Sequence, residues 1–317
     1  MSDIRINIKY NNPIIVFYHN DQDGYLSAIL IEQKYKDSGC NVYGRPVEYG
    51  EQYSLKSFKD TVTEVLSYTN KDSINNPIVY IVDYTIAPSK DMLEFNVWLK
   101  DQNIKLIWLD HHKSNIENLI DSEIEGIQST EFSGCGLTYK YLYDNQPLPQ
   151  IVQMINDFDI MRKDSSYSFD QLMSIILYMD SISPNCSYDN QLYQEYEHAI
   201  QEPTYIDTIY HNGMFIWNYL KQLAERNTKN IIKTVYEDRN IAILNTPIRG
   251  SWQFNWYKES CDIKVIWFVD SSGVYNYSFY SEEGGADCCE FAKLFKGGGH
   301  PTAAGCKTNY QIFSIIG

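Results

Sequence analysis

Histidines and aspartates at close spacing stand directly after apolar runs in the first half of the chain. The seven residues are His19, Asp21, Asp23, Asp83, Asp110, His111 and His112. Three of them, at 110–112, end the apolar run 105–109, and the others follow the runs 14–18 and 78–82. Buried polar groups need hydrogen bonds or a metal ion. These positions therefore predict a site with chemistry rather than a simple packed core.

Carboxylates with a minority of imidazoles suit Mn²⁺ or Mg²⁺ better than a cysteine-rich zinc site, and the histidines favour Mn²⁺. The predicted metal ligands are His19, Asp21, Asp23, Asp83, His111 and Asp157. This set is too large for one ion with open positions and suits two. Two ions roughly 3.5–4 Å apart can clamp the attacking and leaving oxygens of a phosphoryl displacement. One carboxylate must bridge them, and we choose Asp83 because it stands alone after its strand.

Two aspartates at the end of one predicted helix compete for the last ligand position. A helix is expected over 149–156, followed by Asp157-Phe158-Asp159. An aspartate at a helix end is often solvated. We expect Asp157 to reach the site and Asp159 to face solvent.

The elements that must position these residues alternate between strands and helices. Apolar runs at 14–18, 78–82 and 105–109 predict buried strands, and helical spacing follows them, as in 25–36 and 88–100. The segment 41–47 is a weaker strand, interrupted by Gly44 and Pro46. This alternation predicts an α/β fold with a parallel, doubly wound sheet. In such sheets ligands bind outside the carboxyl ends of the strands, where the predicted ligands lie.

A glycine run near the end of the chain predicts a second functional element. Gly297, Gly298 and Gly299 precede His300, in a strand-rich C-terminal part with a short helix at 287–295. Consecutive glycines expose backbone N–H groups that can cradle an anion, and a histidine adds a donor. We expect this loop to bind a phosphate or carboxylate of the substrate.

The length of 317 residues allows two domains. We expect a catalytic metal-binding domain over 1–186, a helical connector over 187–233, and a smaller C-terminal α/β domain with a mixed sheet over 234–317.

Charge and composition exclude several classes of partner. The net charge is −15, and no basic stripe is visible, so we expect a short substrate and no grip on long nucleic acid. No apolar run is long enough to span a membrane. The seven cysteines lack C-x-x-C spacing, and the first residues lack a secretory apolar stretch, so a reducing, cytoplasmic location is expected.

At this point the sequence resembles the DHH phosphoesterases. The motifs that match theirs in order are His19-x-Asp21-x-Asp23-Gly24, Asp83 after a strand, Asp110-His111-His112, and Asp157. The segment 297–305, GGGHPTAAG, matches the GGGHxxAAG signature of their DHH-associated C-terminal domain. The chain is most similar to compact members such as nano-RNases. The longer RecJ exonucleases carry further domains, and family II pyrophosphatases lack the glycine motif.

The resemblance implies roles for individual residues. The ligand sets that it implies are His19 and Asp21 for one Mn²⁺, Asp23, His111 and Asp157 for the other, and Asp83 between them. His112 would face the scissile phosphate, Asp110 would orient the histidines, and the loop 297–300 would hold a terminal phosphate across an interdomain cleft.

The implied activity is that of a Mn²⁺-dependent phosphodiesterase that acts as a 3′–5′ exonuclease. It would hydrolyse short oligonucleotides or dinucleotides to mononucleotides, with a water activated by two metal ions. Mg²⁺ is a second option for the metal. Two alternatives stay open. One is a phosphomonoesterase on nucleotides like 3′-phosphoadenosine phosphate, and the other is a catalytically silent nucleotide-binding protein. A homodimer is also left open.

One departure from the family concerns substrate recognition. Members often carry an arginine on the strand before the last helix, where this chain reads Phe279-Tyr280-Ser281. A bidentate phosphate clamp is therefore missing. Tyr280, by stacking, and Arg249 are the candidates to replace it.

Overall fold

The computed structural model describes residues 12–49, 53–69, 77–183 and 190–313. The chain divides into two compact units, Met1–Trp217 and Asn218–Gly317. The predicted boundary at 186/187 lies outside the described residues, as do the first residues, on which the predicted lack of a secretory leader rests.

The first unit contains a parallel sheet. Its strands are β1 (Pro13–His19), β2 (Asn41–Val47), β3 (Ile78–Val82), β4 (Lys105–Asp110) and β5 (Glu125–Gln128). They lie in the order β2-β1-β3-β4-β5, and each neighbouring pair is parallel. The predicted parallel, doubly wound architecture is therefore confirmed. Strand β2, the weaker of the sequence predictions, lies at the edge of the sheet. Proline is tolerated in an edge strand because one side of the strand has no neighbour to which it must donate.

Helices cover both faces of this sheet. They are α1 (Gln22–Tyr35), α2 (Leu55–Ser67), α3 (Ser89–Lys100), α4 (Lys113–Asn118), α5 (Gly134–Leu142), α6 (Gln150–Asp159) and α7 (Phe169–Ile182). Because successive side chains of a strand point to opposite faces, Val16 packs in one core with α1, α5 and α6, and Phe17 packs in the other with α2 and α3. Burial on both faces explains why these strands are apolar throughout.

Two long helices follow, α8 (Asn190–Gln201) and α9 (Tyr205–Asn227). Leu192 and Tyr196 of α8 are buried in the core of the first unit, and the division between the units falls inside α9, after Trp217. The helical content expected for 187–233 is present, except that a strand begins at Ile232. The three predicted domain ranges themselves stay a prediction.

After the end of α9, the described residues of the second unit form a mixed sheet and a short α-helix. The elements are β6 (Ile232–Tyr236), β7 (Arg239–Asn245), β8 (Ile263–Val269), β9 (Tyr275–Tyr280), α10 (Cys288–Lys293), β10 (Gly298–Gly299) and β11 (Ala303–Thr308). The strand order is β10-β11-β9-β8-β7-β6; β7 and β8 are parallel, and the other pairs are antiparallel. The predicted mixed sheet is confirmed.

Within the described ranges, every helix is too short or too polar to cross a lipid bilayer.

Candidate metal centre

Three neighbouring strands deliver polar side chains to one edge of the first unit's sheet. β1 ends at His19, β4 ends at Asp110 and is followed by His111, and Asp83 comes directly after β3. The backbone of Asp83 is left-handed, with a φ of 53°, a conformation that aspartate tolerates better than most residues. Strained backbone of this kind is concentrated at functional sites. The turn at Asp83 therefore aims its carboxylate at the groups beside it.

Asp83 lies between two histidines, with one carboxylate oxygen toward each. Its Oδ2 is 3.6 Å from His19 Nδ1, and its Oδ1 is 3.1 Å from His111 Nε2. His19 Nδ1 is also 2.6 Å from Asp21 Oδ2, and His111 Nε2 is 3.3 Å from Asp159 Oδ2. The side chain of Asp83 is thus placed as a bridge between two groups of possible metal ligands.

Three overlapping sets of residues each bring their ligand atoms within 4.8 Å of one another. These sets are His19, Asp21 and Asp83; Asp23, His111 and Asp159; and Asp83, His111 and His112. Five of the six predicted metal ligands are therefore brought together by the fold. The sixth, Asp157, is not among them.

The structure corrects the prediction for Asp157 and Asp159. Helix α6 continues to Asp159 instead of ending at residue 156, and residues two apart on a helix point about 200° apart around its axis. Asp157 accordingly turns away: its Oδ1 is 2.8 Å from Arg162 Nε, and its Oδ2 accepts a hydrogen bond of 2.6 Å from Ser165 Oγ. Asp159, expected to face solvent, lies beside His111 instead.

Asp23 is held by the beginning of α5. Ser133 Oγ and the N–H of Gly134 each donate to its carboxylate at 2.6 Å, and the N–H of Cys135 donates at 3.0 Å. A Cβ at Gly134 would lie 2.5 Å from Asp83 Cβ and 2.9 Å from Asp23 Oδ2. Glycine is therefore required at position 134 for this close approach. Backbone N–H groups at a helix start favour a negative charge, but burial and the neighbouring Asp83 outweigh them and raise the pKa of Asp23 to about 6.

Asp110 is fully buried and accepts hydrogen bonds from every side. Its Oδ1 accepts from the backbone N–H groups of His111 and His112, at 2.8 and 3.1 Å, and lies 2.7 Å from His112 Nδ1. Its Oδ2 accepts from Thr85 Oγ1 at 2.6 Å and from Asn115 Nδ2 at 3.0 Å. These contacts fix the ring of His112 and direct its other nitrogen, Nε2, away from Asp110.

The carboxylates of the cluster make its histidines basic. Burial lowers the pKa of His19, but its interactions with Asp21 and Asp83 outweigh burial and raise the pKa to about 11. Burial likewise lowers the pKa of His111, whereas Asp83 and Asp159 raise it to about 10. Burial raises the pKa of Asp159, and the neighbouring carboxylates raise it further. Positive charge therefore stabilises the cluster, and divalent cations can supply that charge in place of protons.

The donor set fits divalent cations. Asp83 Oδ1 and Asp159 Oδ2 are buried atoms that accept no well-aligned hydrogen bond from the described residues, and both lie close to the same nitrogen, His111 Nε2, at 3.1 and 3.3 Å. Unsatisfied buried carboxylate oxygens are costly unless a cation or a proton compensates them. Carboxylate oxygens with imidazole nitrogens are ligands typical of Mn²⁺ and Mg²⁺ sites.

The predicted anion loop forms a hairpin in the second unit. Gly298 and Gly299 pair with Gly305 and Ala304, and the turn is closed by hydrogen bonds between the backbones of His300 and Ala303. The N–H of Gly297 already donates to Ala292 O at 2.9 Å, so it does not contribute to a free cradle. His300 is exposed at the turn.

The tyrosine that replaces the family arginine is engaged within its own unit. The hydroxyl of Tyr280 accepts a hydrogen bond of 3.1 Å from the N–H of Gly250. This contact fixes the backbone next to Arg249, whose guanidinium carbon lies 5.6 Å from the centre of the Phe268 ring.

Several residues of the site gave no signal in the sequence. Ser133, Thr85 and Asn115 are common polar residues that hold Asp23 or Asp110 only through the fold. The sequence does contain a signal for Asp159, because Asp157 and Asp159 repeat the Asp-x-Asp spacing of Asp21 and Asp23. The helix was expected to end at residue 156, and for that reason Asp157 was chosen as the metal ligand.

Together, the doubly wound sheet and the cluster at its carboxyl edge form a centre whose carboxylates and imidazoles could hold divalent cations. Residues 13–159 match the model of the DHH family, N-terminal domain. This part of the chain therefore matches a DHH domain, and the predicted resemblance is confirmed over these residues.

Relatives of the whole chain are distant. An uncharacterized protein, R106, of Acanthamoeba polyphaga mimivirus is 25% identical in an alignment over 310 residues that covers 92% of this chain and 66% of that protein. A DHH domain described as a member of the s1p family of ribosomal proteins has a TM-score of 0.64 at 13% identity, covering 93% of this chain and 82% of its own. The pGpG-specific phosphodiesterase PggH from Vibrio cholerae has a TM-score of 0.47 at 13% identity, covering 93% and 92%. At such identities the structural likeness to the DHH domain shows the fold alone.

Proposed function

We propose that the protein is a Mn²⁺-dependent phosphodiesterase that hydrolyses dinucleotides and very short oligonucleotides to mononucleotides, as a 3′–5′ exonuclease. The observation that carries this proposal is the position of Asp83, with one carboxylate oxygen toward each of two histidine-containing ligand groups. A shared carboxylate is what a pair of ions requires, and paired ions suit phosphoryl displacement.

These residues would hold two ions, with Asp159 in the position first assigned to Asp157. His19 and Asp21 would hold one Mn²⁺, Asp23, His111 and Asp159 would hold the other, and Asp83 would be shared. When bound, the two cations would lower the pKa of a water and stabilise the charge that develops on the phosphoryl oxygens. Mg²⁺ is the second choice, because the imidazoles of His19 and His111 suit it less well.

The chain's own side chains orient the substrate around these ions. Asp110 accepts a hydrogen bond from His112 Nδ1 and, against the effect of burial, raises the pKa of His112, so that the protonated ring can also donate through Nε2 to a phosphoryl oxygen or to the leaving oxygen. The side chain of His112 is 26% exposed, whereas Asp110 is fully buried. His112 can therefore contact a substrate, and Asp110 acts only through His112.

Hydrolysis of a dinucleotide with and without metal tests the function. We expect pure protein to convert the dinucleotide to mononucleotides in Mn²⁺, to lose this activity in excess EDTA, and to recover it when Mn²⁺ is restored. A 5′-labelled trinucleotide reports the direction of cleavage, and a long oligomer should be cut much more slowly, since the net charge is −15.

The products distinguish the alternatives. Release of inorganic phosphate from 3′-phosphoadenosine phosphate, with dinucleotides left intact, would assign a phosphomonoesterase. Nucleotide binding without any turnover in Mn²⁺ or Mg²⁺ would assign a silent binding protein.

The hairpin of β10 and β11 is the proposed seat for the substrate's terminal phosphate, through Gly298, Gly299 and His300. A Cβ at Gly298 would meet no atom within 4 Å, whereas a Cβ at Gly297 would lie 2.2 Å from Gly305 O. Packing within the fold therefore explains glycine at position 297 but not at position 298. The close approach of a phosphate would explain the glycine at position 298.

Gly298→Ala is expected to keep the melting temperature and to raise KM for a dinucleotide about tenfold or more, because the methyl group occupies the phosphate's place. Thermal unfolding and initial rates measure the two effects. Gly297→Ala is the matched control and should lower the melting temperature, since the hairpin must distort. An unchanged KM in a well-folded Gly298→Ala protein would remove the phosphate seat.

We place this reaction in the cytoplasm, since the cysteines of the described ranges are unbridged and disulfides are rare in reducing compartments. A homodimer stays a prediction, which light scattering of the purified protein would test.

A further inference from the structure

A cleft of about 380 Å³ lies in the first unit, directly beside the carboxylate cluster. One side of it is formed by Asp23 and Asp159. Another side is apolar and is formed by Ile155 and Phe158 of α6 and by Ile176 of α7. Its volume lies within the roughly 300–1,000 Å³ usual for small-molecule sites. A group attached to a phosphate at the cluster can therefore enter this cleft.

The polar groups in the cleft are arranged as hydrogen-bond acceptors. Gln22 Nε2 donates to Asp180 Oδ1 at 2.7 Å, and the Tyr196 hydroxyl donates to Gln22 Oε1 at 2.7 Å. These two bonds fix the amide of Gln22 with its nitrogen toward Asp180. Asn20 Oδ1 is buried and accepts no hydrogen bond from the described residues. The remaining capacity of Asp180 and Asn20 Oδ1 therefore suits a ligand that donates N–H groups.

The part of the cleft away from the proposed ions disfavours a phosphate as its occupant. Asp21, Asp23 and Asp159 are proposed metal ligands, so the charge that remains there is that of Asp180, and lysine and arginine are absent from the lining. A second anionic group would be repelled, whereas a neutral, flat ring can pack on the apolar side.

We propose that this cleft is the subsite for one nucleobase of the substrate, and that it prefers a base with adjacent N–H donors, as guanine has at N1 and its 2-amino group. Adenine and cytosine place an acceptor nitrogen beside their amino group, and uracil flanks its single N–H with carbonyl oxygens. Either arrangement turns an acceptor toward the Asp180 carboxylate. This inference rests on the proposed function, because a nucleotide phosphate must reach the cluster.

Nucleotide binding tests the subsite without relying on turnover. Calorimetric titrations with GMP, IMP and AMP, in Mn²⁺ and again in EDTA, compare bases on the same ribose phosphate. We expect GMP to bind at least tenfold more tightly than AMP. IMP, which lacks only the 2-amino group, should fall between them. Asp180→Asn should weaken GMP binding at least tenfold and change AMP binding less than threefold.

Two further variants keep the test sharp. Asp207→Asn is the matched control, because Asp207 is an exposed aspartate on α9, and its binding profile should equal that of the wild type. Ile176→Phe narrows the cleft and leaves residue 180 unsubstituted. Because guanine is larger than uracil, this variant should weaken GMP binding more than UMP binding. Melting temperatures of all variants show that each one folds.

A substrate without a base separates this inference from the proposed function. Wild-type hydrolysis of bis(p-nitrophenyl) phosphate in Mn²⁺ reports the metal chemistry alone. Equal affinities for GMP and AMP in the wild type, or unaltered GMP binding in Asp180→Asn, overturn the nucleobase subsite even where hydrolysis is observed. Failure to hydrolyse either substrate overturns the proposed function, and the GMP and AMP titrations then still decide whether the cleft reads a base.

Discussion

Asp83→Asn is expected to lower kcat on a dinucleotide by about 10⁴-fold, the scale of losses seen when an essential catalytic group is removed. The amide keeps the size of the side chain, but it presents one oxygen and one NH₂ group where two carboxylate oxygens now face His19 and His111. It therefore cannot bridge two cations. Initial rates in Mn²⁺ measure the effect.

Metal binding gives this prediction a second measurement. Ligands that bind the folded state raise the melting temperature in proportion to RT ln(1 + [L]/Kd). Mn²⁺ should raise the melting temperature of the wild type and have little effect on Asp83→Asn. The matched control is Asp121→Asn, at an exposed position. A variant at Asp83 that keeps more than a tenth of the activity, with a full Mn²⁺-induced shift, would remove Asp83 from the bridging role.

Asp159→Asn and Asp157→Asn are expected to differ in kind, although the residues are two positions apart. Asp159→Asn should reduce kcat about 10²-fold or more and weaken Mn²⁺ binding, because an unsatisfied oxygen aimed at the cluster is lost. Its stability without metal should not fall, since burial and nearby carboxylates already raise the pKa of Asp159. A neutral amide relieves that repulsion.

Asp157→Asn should act on stability instead. It removes the charge that pairs with Arg162 at 2.8 Å and weakens the bond from Ser165. Hydrogen bonds to charged groups contribute about 1.5–3 kcal/mol each, so a loss of about that size is expected in urea unfolding at constant m-value. Kinetic constants of the folded protein should change little. The reverse pattern, with Asp157→Asn abolishing Mn²⁺ binding, would restore the ligand set first predicted from the sequence.

The site residues whose positions could be predicted from the sequence are those at the ends of strands. His19, Asp83 and Asp110 end apolar runs, and parallel strands bring such ends to one edge whatever the details of packing. The choice between Asp157 and Asp159 depended on where a helix ends, and helix ends are the least predictable feature of a pattern. A difference of three residues in that boundary exchanged which carboxylate faces the metal ligands.

Contacts between distant segments could not be predicted. Ser133 donates to Asp23 across 110 positions, and Gln22 donates to Asp180 across 158. No periodicity relates such residues, because the packing of α1 against α5 and α7 creates both contacts. The close approach of Gly134 to the two aspartates arises in the same way.

The hydrogen bonds around Asp110 distinguish two parts of the centre. One part, Asp110 with His112, is held in place by the protein alone, and the other consists of the proposed metal ligands. Both carboxylate oxygens of Asp110 accept hydrogen bonds, from the residues directly after β4, from α4 and from the loop after β3, so the imidazole of His112 is oriented before any cofactor arrives. The second part still has oxygens without donors. Loading with cations should therefore proceed without refolding of β4, and removal of the cations by a chelator should leave a protein that is inactive yet ready to be reconstituted.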